Sequence, residues 1–358
     1  CFKFDRCFNP ACTQADIFYE VEGIVDSVME GVNGTILAYG QTSSGKTYTM
    51  EGPDLTDEER RGVIPRVVDK IFAYIGNSHE SNEFTVQVTY FEIYCEKVRD
   101  LLRPESNNLN IRENKGGGYY IPDLTEVFCV DTDNVCSLIQ AGKTNRATSA
   151  TLMNAESSRS HSILSVAVSQ KVGHGPQEGR LLRGKLFLVD LAGSEKVSKT
   201  GAKGVTLTEA KNINRSLTTL GMVINALSES SPHIPYRDSK LTRVLMESIG
   251  GNSKTSLIIC CASESRHVGE TLTTLRFGER AKTITNRTHV NEELGVPELT
   301  KLLESARREI DKLRTSLSTA KDGGHIGPIS PGPDLAVTAL DSNLRSPSPM
   351  PTAPASAP

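Results

Sequence analysis

The sequence predicts a layered α/β domain over residues 1–283, a linker over 284–297, a short coiled-coil helix over 298–321 and a disordered tail over 322–358. Three observations carry this. As far as about residue 286, strand-like and helix-like stretches alternate, the pattern of helices packed on a sheet. From Leu299 the apolar residues step four-three-four-three-four. The last 36 residues hold eight of the 17 Pro and only three charged residues (Asp334, Asp341, Arg345), too little apolar material to bury a core.

Taken in order, Thr35 to Tyr39 is an apolar stretch leading into a glycine-bounded turn. Val63, Val67, Val68, Ile71 and Ile75 share one helical face, with Pro65 tolerable in the first turn. Phe84 to Tyr94 is β-branched and aromatic, hence a strand. Leu186–Asp190 and Leu257–Cys261 are short apolar runs of the kind buried in a sheet interior. Helical spacing returns at Ile213, Leu217, Leu220, Ile224 and Leu227. The seam Leu299, Leu303, Ala306, Ile310, Leu313, Leu317 spans about three heptads, and Gly323-Gly324 ends it.

Composition excludes several classes. With 40 basic and 43 acidic residues the net charge is −3, which argues against a wholly basic nucleic-acid binder. The eight Cys form no C-x-x-C pair or Cys/His cluster, so neither a zinc site nor a disulfide framework is expected. Their scatter among hydrophobic runs reads as buried thiols in a reducing cytosol. No run approaches the roughly 18 apolar residues of a membrane span, so no membrane insertion is expected.

The chemistry lies in three segments. Gly40-Gln41-Thr42-Ser43-Ser44-Gly45-Lys46-Thr47 fits G-x-x-x-x-G-K-[ST], for which a chance match in such a chain is on the order of 1%. In such a loop the backbone N–H groups wrap phosphates, Lys46 reaches the β/γ oxygens and the Thr47 hydroxyl ligates Mg²⁺. Asp190-Leu-Ala-Gly193-Ser-Glu195 follows a strand, putting Asp190 where it holds Mg²⁺ through water and the Gly193 amide where it meets a γ-phosphate. Asn154-Ala-Glu-Ser157-Ser158-Arg159-Ser160-His161 offers hydroxyls and a guanidinium suited to sensing phosphate and Mg²⁺.

Together these segments resemble the P-loop, switch I and switch II of the kinesin motor domain. FEIYCEKVRDLL (91–102), NINRSLTTLGMVINAL (212–227), IPYRDSKLTRVL (234–245) and TLRFGERAKTI (274–284) extend the match from residue 2 to about 294. The resemblance is strongest to conventional, plus-end-directed members. It implies a P-loop NTPase with a mixed, mainly parallel sheet between helix layers, and a cytoplasmic, microtubule-stimulated ATPase that moves along microtubules of the cytoskeleton. ATP and Mg²⁺ are the implied cofactors. Ser157 and Ser158 would close on Mg²⁺ and the γ-phosphate. Arg159 would pair with Glu195, which accepts the nucleophile's proton through water. Lys196, Lys203, Lys211, Arg237, Lys240 and Arg243 match the microtubule face; Ile284 and Asn291 match a neck linker that docks on the motor. The heptad helix would pair two chains weakly.

One departure stands out. The family opens with a strand carrying R-x-R-P, whereas Cys1-Phe2-Lys3-Phe4-Asp5-Arg6 matches the segment after it, so a missing first strand and a weakened nucleotide site are expected. A regulatory GTPase is disfavoured, because that class needs N-K-x-D and Asn114-Lys115-Gly116-Gly117 lacks the Asp. A microtubule binder with a defective ATPase is the other alternative.

Overall fold

The computed structural model describes residues 1–114, 118–153, 157–174, 179–195, 205–293 and 296–322. The chain enters through α1 (Gln14–Met29), started by a capping box in which Thr13 and Asp16 satisfy each other's backbone amides. There follow β1 (Gly34–Gly40), α2 (Lys46–Met50), α3 (Val63–Gly76), β2 (Glu83–Tyr94), β3 (Lys97–Asp100), β4 (Asn107–Leu109), β5 (Arg112–Glu113), β6 (Tyr119–Tyr120), β7 (Val127–Cys129) and α4 (Thr132–Met153). Then come β8 (His161–Lys171), β9 (Leu181–Asp190), α5 (Val205–Ser228), α6 (Lys240–Val244), β10 (Lys254–Cys260), α7 (Val268–Ala281), β11 (Glu292–Glu293) and α8 (Val296–Asp322).

The main sheet runs β10-β1-β9-β8-β2-β3-β4, with β7 also on β2 and β11 on β9. The period-2 alternation of strands sorts its residues into two cores. Ile36 and Ala38 of β1, Leu186 and Leu188 of β9, and Val86, Val88 and Tyr90 of β2 pack with the apolar stripes of α1, α3 and α4. Leu37, Tyr39, Val189, Phe91 and Ile93 face the other way, onto Leu217, Leu220, Val223 and Ile224 of α5, Leu241 of α6 and Phe277 of α7. The domain is therefore three layers, helix–sheet–helix, as expected.

Three expectations need correction. The sheet is mixed but not mainly parallel: β1 runs parallel to β9 and β10, and every other pairing among the described residues is antiparallel. For β2 and β3 the reason is the connection: only two residues, Cys95 and Glu96, join them, a hairpin that only antiparallel strands accept. The run 257–261 is not a fully buried strand, because β10 pairs on one side only and most of its side chains are half-buried. Of the eight free cysteines only Cys129 and Cys260 are buried. Cys1 and Cys7 lie on the irregular N-terminal segment and Cys261 just past the end of β10, where no layer covers them.

Residues 1–300 form one compact unit, and the chain from 301 on, described as far as 322, belongs to a second. Helix α8 starts at Val296, two residues ahead of the expected 298. Leu303, Ile310, Leu313 and Leu317 each stand about half exposed along it, an apolar stripe of the expected heptad spacing. The tail from 323 on lies outside the described residues. No helix among those described is long and apolar enough to cross a membrane.

Candidate nucleotide site

Because β1, β9 and β10 are parallel, their carboxyl ends coincide, and chemistry in an α/β sheet collects at such an edge. Register makes this concrete: Gly40 stands beside Cys260 and Ala38 beside Asp190. The chain leaves β1 at Gly40, turns through 41–45 and enters α2. Ser43 and Gly45 both hold positive φ (62° and 101°), and Gly45 is the N-cap of α2. A side chain at 45 would be strained there, which is why the motif keeps glycine.

Inside the turn the Lys46 ammonium, 7% exposed, donates to the carbonyls of Gly40 (2.9 Å) and Gln41 (2.8 Å). Burial lowers its pKa, and the carboxylates of Asp190 and Glu195 nearby oppose that shift. Ser44 Oγ donates to the Gln41 carbonyl at 2.8 Å, bracing the loop. Thr47 Oγ1 donates to Asp190 Oδ2 at 2.5 Å. Asp190 is 4% exposed; burial pushes its carboxyl up, and the Arg146 charge and the Thr47 bond pull it back. Its other oxygen, Oδ1, is buried with no hydrogen-bond partner among the described residues. A buried carboxylate oxygen left over beside a hydroxyl is the donor set a hard cation takes, so Mg²⁺ fits Thr47 and Asp190.

The segment after β9 closes the other side. Gly193 donates its N–H to the Ser158 carbonyl at 2.8 Å. A Cβ at 193 would run into Thr42 Oγ1 and both Glu195 carboxylate oxygens, so only glycine lets these groups crowd together. Glu195 accepts from Thr42 N–H at 2.8 Å and from Thr42 Oγ1 at 2.5 Å. The Glu195 carboxylate is thus taken by the P-loop threonine, 153 positions away, whereas the Arg159–Glu195 pair implied by the resemblance belongs to closed switches. Ser158 and Arg159 occupy a 3₁₀ turn, Ser157–Arg159, and both are half-buried. For Ser157 only the backbone is described, and Asn154 lies outside the described residues, as do Lys196 and Lys203.

Sequence reading missed what anchors this turn from behind. Arg146 of α4, 7% exposed, donates to Ser160 Oγ (3.2 Å) and the Ser160 carbonyl (3.0 Å). It also stands 3.7 Å from Glu92, which meets Arg99 at 3.4 Å. A lone Arg in a polar helix carries no signal of this, because the partners are 14 and 54 positions away.

The basic residues of the expected track face are not equivalent. Arg237 is exposed and pairs with Glu113 at 2.9 Å. Lys240 Nζ donates to Asn108 Oδ1 (3.3 Å) and the Leu109 carbonyl (3.1 Å), and burial lowers its pKa. Arg243 donates to the Arg237 carbonyl at 3.1 and 2.6 Å. The last two side chains therefore also hold local structure. Lys211 lies on α5, where only its backbone is described.

In the linker, Ile284 packs on the core that α5, α6 and α7 share. Asn291 donates from Nδ2 to the Gly31 carbonyl (2.9 Å), Asn33 Oδ1 (3.1 Å) and the Arg183 carbonyl (3.0 Å), and accepts from Asn252 Nδ2 (2.9 Å). Asn286, which sequence reading passed over, donates to the carbonyls of Ser248 (2.9 Å) and Ser253 (2.6 Å) and accepts from Gly250 N–H (2.7 Å). Two asparagines in a short linker were the available signal.

The kinesin motor domain family model matches residues 1–284. A kinesin heavy chain of Syncephalastrum racemosum is 54% identical over 319 residues, covering 88% of this chain and 34% of that protein. The kinesin-1 heavy chain of Homo sapiens is 50% identical over 317 residues, covering 88% of this chain and 32% of that protein. The chain thus spans about a third of the length of the curated relatives it matches. A solved fast kinesin, described for its ATPase mechanism and its interactions with microtubules, superposes with a TM-score of 0.77 at 53% identity, over 83% of this chain and 84% of that one. With its P-loop and the segments around Ser158 and Glu195 meeting at one sheet edge, the chain belongs to the kinesin motor domain family.

Proposed function

We propose that the chain is a microtubule-stimulated ATPase that couples MgATP hydrolysis to plus-end-directed movement along microtubules. The observation that carries this is the convergence of three loops through Thr47–Asp190, Thr42–Glu195 and Gly193–Ser158. Three distant stretches of chain thereby bring hydroxyls, carboxylates and backbone amides to one sheet edge, where a single ligand can meet them all.

In this reading the backbone of Gly40 to Thr47 cradles the phosphates and the Lys46 ammonium binds the β/γ oxygens. Thr47, Ser158 and Asp190 hold Mg²⁺, which supplies neutralising charge to the β- and γ-phosphates. With nucleotide bound, Gly193 would turn its amide from the Ser158 carbonyl to the γ-phosphate. Glu195 takes up the proton of the attacking water, and Arg159 pairs with it when the two switches close. Asn154 and Ser157 complete switch I. Phosphoryl transfer needs placed charge more than a strong base, and the site is rich in it.

Lys196, Lys203, Lys211, Arg237, Lys240 and Arg243 form the face toward the acidic track, an attraction that weakens with salt. Residues 284–297 act as the neck linker, with Ile284 and Asn291 as its docking points, and the helix from 298 to 321 pairs two chains weakly. The chain works in the cytoplasm on the microtubule cytoskeleton. The test is steady-state phosphate release with and without taxol-stabilised microtubules: a rise of at least tenfold supports the reading (about 1.4 kcal/mol of barrier), and an unchanged rate refutes it.

A further inference from the structure

His161, at the end of the 154–161 segment, touches both the turn after β9 and helix α5. It is the first residue of β8 and 1% exposed. Its Nδ1 lies 3.0 Å from the Ala192 amide nitrogen and its Nε2 2.7 Å from Ser216 Oγ. A backbone N–H can only donate, so Nδ1 carries no proton. In the neutral ring the proton then sits on Nε2 and is donated to Ser216. Neutrality follows from the surroundings: the ring is fully buried, and the nearest charges, Arg146 and Lys46, are both positive.

The two partners belong to parts of the chain with different tasks. Ala192 adjoins Gly193, whose amide bonds to Ser158, and lies three residues from Glu195, which bonds to Thr42. Ser216 adjoins Arg215, an exposed cation of α5 that donates to the Asp238 carbonyl at 3.2 Å. The imidazole is a rigid plane, fully buried, with both ring nitrogens engaged. A shift of the 191–193 turn must therefore be followed by α5 or must break a buried hydrogen bond, which is costly. We propose that His161 is a positioning residue that ties the Ala192–Gly193 turn to α5, so that the track face and the nucleotide site move as one. The inference rests on the microtubule-stimulated ATPase reading and names a residue through which the stimulation travels.

Ser216→Ala removes only the hydroxyl, and His161→Asn keeps an acceptor near the Nδ1 position while losing the reach to Ser216. Basal and microtubule-stimulated turnover, the microtubule concentration at half-stimulation and the melting temperature are measured for the 358-residue chain, both variants and the double variant. Ser216→Ala should keep its basal rate and lower the stimulated kcat by at least about fivefold, the lower end of ordinary coupling between sites. The double variant should lose no more than His161→Asn alone, because both break the same link. Wild-type stimulation in Ser216→Ala, a parallel fall of basal and stimulated rates that follows the melting temperature, or fully additive losses would each overturn the proposal. An unstimulated wild-type chain would instead overturn the functional reading on which it rests.

Discussion

Replacing Asn291 by alanine should release the linker from the motor without unfolding it. The amide has two hydrogens, so its three close acceptors share at most two full bonds, and Asn252 adds one more on the oxygen. Each is worth about 0.5–1.5 kcal/mol net, and because the site is half-buried water replaces part of what is lost, so the total is about 2 kcal/mol. The backbone bonds remain: Asn291 N–H to the Gly31 carbonyl (2.8 Å) and Arg183 N–H to the Asn291 carbonyl (2.9 Å). The flanking pairs Arg180–Glu292 (2.9 Å) and Arg183–Glu293 (3.1 Å) are partly solvated and add about 0–1 kcal/mol each. Docking should weaken about 30-fold. Hydrogen exchange reads it directly, since the amides of Asn291 and Arg183 are protected only while the segment is docked. Both should exchange about 30-fold faster in Asn291→Ala, with the central sheet unchanged. Unchanged protection at these two amides would refute the reasoning, and faster exchange throughout the sheet would show global destabilisation instead.

Three further outcomes follow from the same geometry. Lys46→Ala removes the only ammonium held inside the P-loop and should sharply reduce ATP affinity in a fluorescent-nucleotide titration; wild-type affinity would contradict its assignment. His161 is neutral in the folded chain, its pKa depressed to about 3 by burial from the usual 6.5, so below the usual value the unfolded chain binds the extra proton. Its contribution is complete above that value and declines as pH falls toward 3, by about 2 kcal/mol at pH 5; denaturant titrations near neutrality and near pH 5 should show a gap that shrinks in His161→Asn. Arg237→Ala should weaken microtubule cosedimentation at low salt with an unchanged melting temperature, whereas Lys240→Ala and Arg243→Ala should lower both, because these side chains also bond backbone carbonyls.

Features that lie contiguously in the chain were the legible ones. The P-loop is eight consecutive residues whose spacing is itself the chemistry, and the α3 and α5 stripes are visible because burial repeats with the helical turn. Asp190 and Gly193 were legible for the same reason, as residues of one short loop after an apolar strand. Pairings across the sequence were not. Nothing near Glu195 announces that Thr42 holds it, and nothing near Arg146 points to Ser160 and Glu92. Lys240 and Arg243 were legible only as part of the microtubule face, because the backbone carbonyls they also bond are groups that every residue has and no sequence marks. Strand direction failed similarly: β2 and the end of β9 were legible as strands, β8 was not, and nothing in either run says which way it pairs with a neighbour distant in sequence.

If the loops meeting through Thr42, Thr47, Ser158, Asp190, Gly193 and Glu195 form one hydrolytic site that a microtubule accelerates, phosphate release depends on both the track and Glu195. The most direct test is single-turnover phosphate release from pre-bound MgATP on mixing with microtubules, for the chain and for Glu195→Ala. Release from the chain should be fast and microtubule-dependent. In Glu195→Ala that release should slow by about 10²–10⁴-fold, the usual contribution of a placed proton acceptor, while ATP still binds. Equal release from the two proteins would contradict it.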